Sequence, residues 1–166
     1  MTKDSLEVII KALNDSGARY LVVGGIAVIA HGYVRDTKDV DLLIHFETTN
    51  LITALRALEG IGFRPHIPVT FEDFANPAVR ASWIAEKQMK VLKLFCDAHW
   101  NTPIDIFVDD PLGFEEAYKR GKFYSLADNL EVPVCGYEDL VKLKQDAGRP
   151  RDLADLHELR VIRGEI

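Results

Sequence analysis

Along the chain the apolar positions switch between the 3.6-residue period of a helix and the two-residue period of a strand. Leu6, Ile9, Ile10 and Leu13 share one helical face, with Asp4 or Ser5 as a cap and Ser16-Gly17 as a stop. Residues 19–23 are rich in β-branched and aromatic side chains and read as a strand, broken by Gly24-Gly25. A short helix at 26–31, a second strand at 40–46 and an amphipathic helix at 48–58, ending at Gly60, follow. Pro65 and Pro68 leave 63–69 ambiguous. Asn76-Pro77, a cap followed by a first-turn proline, predicts a helix to Gln88, although 79–84 also suits an extended chain. Residues 89–97 and 104–109 read as two strands joined by a loop holding His99 and Asn101. Residues 113–120 are helical and 131–135 form a short strand. Helices at 137–147 and 151–163 close the chain around Gly148-Arg149-Pro150.

This order lacks the strict βαβ alternation of a doubly wound sheet. It predicts an α/β fold of the α+β type: a small mixed β-sheet with helices mainly on one face and a closing C-terminal helix pair. With 166 residues and no repeats, low-complexity tracts or linkers, one domain is expected, with 137–166 as a helical hairpin. Apolar residues are 48% and charged residues 28%, an ordinary globular balance. A net charge of −6 argues against strong non-specific nucleic-acid binding, which rests on many Lys and Arg contacts to phosphate, but leaves room for a local cationic pocket. The longest apolar run, 20–30, is broken by two glycines and falls well short of the roughly 18 residues of a membrane span. Met1-Thr2-Lys3-Asp4-Ser5 offers no signal-peptide core, so a cytoplasmic location is expected. Cys96 and Cys135 sit in apolar contexts unrelated by metal-ligand spacing and read as core thiols.

Asp39 and Asp41 flank Val40 at the start of one strand, and Asp105 lies between Ile104 and Ile106 in another. Side chains two apart on a strand share a face, so Asp39 and Asp41 point one way and Val40 the other. If the two strands are neighbours, three carboxylates converge at a half-buried place, where they repel one another and lose hydration. A hard divalent cation with oxygen ligands relieves both costs. A partly exposed edge strand is the competing account of Asp105. Gly24-Gly25 ends a strand and opens a helix, where bare backbone can approach a phosphate; a plain turn is the simpler account. Arg35 is either aimed at that phosphate or a surface loop arginine. His31, beside Gly32, reads as helix capping or packing, and Asp109-Asp110 as a turn and cap before the next helix. Ion pairs account for most of the charge in the C-terminal hairpin, with Lys144, Arg149 and Asp152 candidates for more.

Taken together, Val23-Gly24-Gly25, then Arg35-Asp36-Thr37-Lys38-Asp39-Val40-Asp41, then the apolar-flanked Asp105, resemble the nucleotidyltransferase superfamily with its polymerase-β-like fold. Lys144 followed by Arg149-Pro150-Arg151-Asp152-Leu153-Ala154-Asp155-Leu156 makes the pattern most similar to the small bacterial AbiEii-like nucleotidyltransferases. The resemblance implies that Asp39, Asp41 and Asp105 are catalytic and hold Mg²⁺ or Mn²⁺, two ions with bound NTP, Asp105 also serving as general base. It implies that Gly24, Gly25, Arg35, Thr37, Lys144 and Asp152 form the nucleotide site. The expected reaction moves an NMP from NTP to an acceptor hydroxyl and releases pyrophosphate. The acceptor stays open between a small molecule such as an aminoglycoside, a protein and a tRNA end; a partner protein or a homodimer is compatible. The alternative is a non-catalytic nucleotide-binding partner or antitoxin of a toxin–antitoxin pair. The presence of all three aspartates favours an enzyme.

Overall fold

A computed structural model describes residues 1–166. Helix α1 (Lys3–Ser16) is capped by Thr2, whose hydroxyl accepts from Ser5 N at 3.2 Å, rather than by Asp4 or Ser5, which lie in its first turn. Gly17 stops it in the left-handed region at φ 74°, where its N–H reaches Asn14 O. Strand β1 (Tyr20–Val23) runs directly into α2 (Gly24–Ala30), and β2 (Val40–Ile44) is followed by α3 (Thr48–Gly60). The ambiguous proline segment holds a two-residue strand, β3 (Arg64–Pro65). Beyond it, α4 (Phe71–Ala75) is a helix the periodicity does not predict; Thr70 and Asp73 cap it reciprocally. The next segment is helical, α5 (Pro77–Lys87), with the Asn76 side chain accepting from Ala78 N at 3.0 Å.

Strands β4 (Val91–Phe95) and β5 (Ile104–Phe107) are joined by a loop with a 3-10 turn at Asp97–His99. Asp110 caps α6 (Phe114–Arg120), its carboxylate accepting from Gly113 N at 3.0 Å and Phe114 N at 2.7 Å. The sequence pattern misses β6 (Lys122–Ala127), whose largely exposed side chains do not alternate; it forms a hairpin with β7 (Leu130–Val134). Helices α7 (Tyr137–Ala147) and α8 (Pro150–Ile162) pack on each other.

The seven strands form one mixed sheet in the order β3-β4-β5-β2-β1-β7-β6, wider than the small sheet expected. At its centre β2 runs antiparallel to β1 and parallel to β5, and β5 runs antiparallel to β4. Leu42, Leu92, Leu94, Ile104 and Ile106 on one face are fully buried in a continuous 37-residue core. On the other face Asp41, Val91, Lys93, Asp105 and Phe107 stay partly exposed, whereas Leu43, two residues beyond Asp41, is fully buried and α2 packs on β1 and β2, so the open stretch runs from Asp41 across β5 and β4. His31 is a packing residue, with Nε2 2.9 Å from Cys135 O and Tyr124 and Tyr137 edge-on to its ring. Both cysteines are buried and free. No helix is long and apolar enough to cross a membrane.

Candidate active site

The two carboxylates read from separate strands lie side by side. Asp41 on β2 is the register partner of Asp105 on the parallel strand β5, so both point to the open face. Asp39 lies one residue before β2, within electrostatic reach of both. Burial, then repulsion from Asp105 and Asp39, pushes the Asp41 carboxyl up to about 6; the Gly25 N–H and Lys144 pull it partway back. One side of Asp41 remains open to solvent while protein atoms crowd the rest.

Asp105 differs because β4 places a cation against it. Lys93 is its antiparallel register partner, with Nζ 2.6 Å from Asp105 Oδ1. The two form a close ion pair, which takes up part of the Asp105 charge. Burial raises the Asp105 carboxyl above its ordinary range against the pull of Lys93. In Lys93, burial acts downward, but the Asp105 pairing prevails and raises its ammonium.

The glycine pair makes room for side chains. Gly24 has φ +62°, and a Cβ there would sit 2.0 Å from Asp41 Oδ2. A Cβ on Gly25 would sit 2.3 Å from Thr37 Oγ1. A bare backbone at 24–25 is therefore a condition for placing Asp41 and Thr37 here.

A second layer comes from the C-terminal hairpin. Gly148 ends α7 at φ 60°, Pro150 opens α8, and Asp152 accepts from the backbone N of Arg149 at 3.3 Å. Asp152 and Asp155, three apart on one face of α8, are buried. Between them lies buried Lys144, 2.9 Å from Asp152 Oδ1 and 2.7 Å from Asp155 Oδ2. Arg35 grips Asp155 with two parallel bonds of 2.6 and 2.8 Å. Arg149 Nε donates to Asp152 Oδ2 at 2.6 Å. Burial works to raise the Asp152 carboxyl, but Arg149 and Lys144 outweigh it and hold it below its ordinary range. Three cations thus face two carboxylates, a net positive flank to the acidic pair. Arg149 has the most exposed side chain of the three cations, and its charge is felt at Asp41 and Asp105.

No protein-family model matches the sequence, and neither does any curated protein. Solved structures do match. LnuA, a lincosamide antibiotic adenylyltransferase with lincomycin bound, superposes with a TM-score of 0.62 at 15% identity, covering 96% of this chain and 97% of its own. TM1012 of Thermotoga maritima, assigned as a nucleotidyltransferase, superposes with a TM-score of 0.57 at 14% identity, covering 98% and 92%. The chain has a nucleotidyltransferase fold.

Within this nucleotidyltransferase fold, the residues read from the sequence fall into two layers. Asp39, Asp41, Asp105, Gly24, Gly25 and Thr37 surround the sheet carboxylates, and Arg35, Lys144 and Asp152 form the supporting network. Sequence reading missed Lys93 and Asp155 as members. Both carry a signal: Lys93 alternates with Leu92 and Leu94 as Asp105 does with Ile104 and Ile106, and Asp155 follows Asp152 at helical spacing. No three acidic, His or Cys side chains close into a ready-made metal cage. The donors still suit a hard divalent cation: they are oxygens, two are adjacent on neighbouring strands, and burial with repulsion between them raises the Asp41 carboxyl.

Proposed function

We propose that the protein is a metal-dependent nucleotidyltransferase that moves an NMP from NTP to an acceptor hydroxyl and releases pyrophosphate. The observation that carries this reading is the pairing of Asp41 with Asp105 on the open face of two central parallel strands. Asp39, Asp41 and Asp105 are the residues suited to hold Mg²⁺ or Mn²⁺. Such an ion, when bound, neutralises triphosphate charge and steadies the leaving pyrophosphate.

The chain's own residues do the rest. Asp105, a stronger base than a solvated aspartate because burial raises its carboxyl, accepts the acceptor hydroxyl proton. The acceptor oxygen bonds to the α-phosphorus as the bond from that phosphorus to the β-phosphate oxygen breaks. Gly24, Gly25 and Thr37 border the triphosphate. Arg149 presents positive charge to it, while Asp152 and Asp155 orient Lys144 and Arg35 behind. The Arg35-to-Asp41 stretch and the Lys144-to-Leu156 run support a place near the AbiEii-like enzymes. LnuA, of nearly the same extent, binds lincomycin, so a small acceptor needs no additional domain.

Incubation with each NTP, Mg²⁺ and a fractionated small-molecule extract tests the reading. Mass spectrometry should find an NMP adduct with equimolar pyrophosphate, absent in Asp41→Asn. Metal-dependent NTP binding with no transfer would point to the non-catalytic alternative, and absence of NTP binding would refute both.

A further inference from the structure

A cavity of about 280 Å³ opens beside Asp105, lined by His66, Ile67, Lys87, Met89, Val91 and Lys93. Lys93 joins it to the carboxylates, since its ammonium lies 2.6 Å from Asp105. Val91, two residues before Lys93 on β4, faces the same side of the sheet. The strand order puts β5 and β2, with their aspartates, between this cavity and the β1 side, where α2 packs on α7 and the Arg35–Lys144–Arg149 network sits. The triphosphate cations therefore occupy one flank of the carboxylates and the cavity the other.

The wall is chemically lopsided. Ile67, Met89 and Val91, with the aliphatic stems of the lysines, make most of the wall apolar, and Lys87, Lys93 and His66 supply its only ionisable groups, all basic. No carboxylate lines it, although the chain carries a net charge of −6. Lys87 makes no ion pair, in contrast to Lys93, whose charge Asp105 takes up. The segment Lys87-Gln88-Met89-Lys90-Val91-Leu92-Lys93 is the source of this local reversal of sign. The volume lies just under the roughly 300–1,000 Å³ of ordinary small-ligand sites, which suits a compact acceptor rather than a polymer.

Resting on the transferase reading above, we infer that this cavity is the acceptor subsite and takes a small hydroxyl compound with an apolar body and an anionic group. The apolar body lies against Ile67, Met89 and Val91, the anion meets Lys87, and the hydroxyl points past Lys93 to Asp105. A polycationic acceptor such as an aminoglycoside is selected against by the same wall.

A matched pair of probes tests the inference by amide chemical shifts of ¹⁵N-labelled protein. 4-(Hydroxymethyl)benzoate carries a hydroxyl, a ring and a carboxylate; 4-(aminomethyl)benzyl alcohol replaces the carboxylate with an ammonium. The benzoate should shift amides at 66–67 and 87–93, and the amine should leave them in place. Lys87→Glu should weaken benzoate binding roughly tenfold and Lys87→Gln by less, as removing one partly screened attraction, or also adding a repulsion, requires. Lys87 is exposed, so an otherwise unchanged spectrum verifies the fold of both variants. Equal or stronger binding of the amine there, or no benzoate shifts, would overturn the proposal. So would a response only to the trinucleotide 5′-CCA-3′, which would make the acceptor an RNA end. A separate MgATP titration reads the transferase reading by itself. If Gly24, Gly25 and Thr37 do not respond, that reading fails and the acceptor role falls with it; if they respond and the benzoate does not bind, only the subsite assignment fails.

Discussion

Replacing Asp41 by Asn separates the stability of this site from its use. Asp41 titrates at about 6 in the folded protein against an ordinary value of 3.8. A carboxyl raised on folding binds its proton more tightly in the folded state, so its ionisation costs stability. The cost is absent below about pH 4, grows between pH 4 and 6, and is complete above about pH 6. At about 1.4 kcal/mol per tenfold change in affinity, the complete cost approaches 3 kcal/mol. Asn keeps the shape, can accept from the Gly25 N–H, and carries no charge. In urea titrations with chelator, Asp41→Asn should therefore be more stable than wild type at pH 7 by up to about 3 kcal/mol, and the difference should vanish near pH 4. Taking the difference between the two proteins cancels most other titrating groups. With Mg²⁺ and ATP the order should reverse, because a ligand that binds only the folded state stabilises the protein that binds it. A variant less stable than wild type by more than about 1 kcal/mol at pH 7, or a difference flat with pH, would show that Asp41 is a structural hydrogen-bonding residue.

Gly24→Ala should cost about 1–2 kcal/mol for its left-handed backbone and more for the collision with Asp41, whereas Gly17→Ala, also left-handed but with nothing within 4 Å, should incur only the first cost; paired thermal melts compare them. Asp155→Ala should destabilise by about 3–5 kcal/mol in denaturant titrations, because Arg35 and buried Lys144 lose a shared partner that is itself buried. Lys93→Met should raise the Asp105 carboxyl further, read by ¹³C NMR titration, and tighten Mn²⁺ binding several-fold by electron paramagnetic resonance, since the internal cation no longer competes. Unchanged Mn²⁺ affinity would show that Lys93 does not occupy the cation position.

Local pattern was enough to place most helices, the strands carrying Asp41 and Asp105, the Gly24-Gly25 break and the C-terminal hairpin, because period, caps and breakers are settled by residues a few positions apart. The same pattern missed β6, whose side chains are mostly exposed, and α4, which is too short to show a period. It also named nine residues of the candidate site without fixing their arrangement. Only the tertiary structure brought Asp41 beside Asp105, since register between strands 64 residues apart depends on how the whole sheet packs. It alone set Lys93 against Asp105 across a further strand, where it acts as an internal counter-ion to the acidic pair. It also filled the space at the glycines with Asp41 and Thr37 and joined Arg35 to Asp155 across 120 positions. A carboxylate's neighbours in sequence say which face it takes; the charge that balances it comes from wherever the packed chain returns, and one-dimensional pattern does not contain that distance.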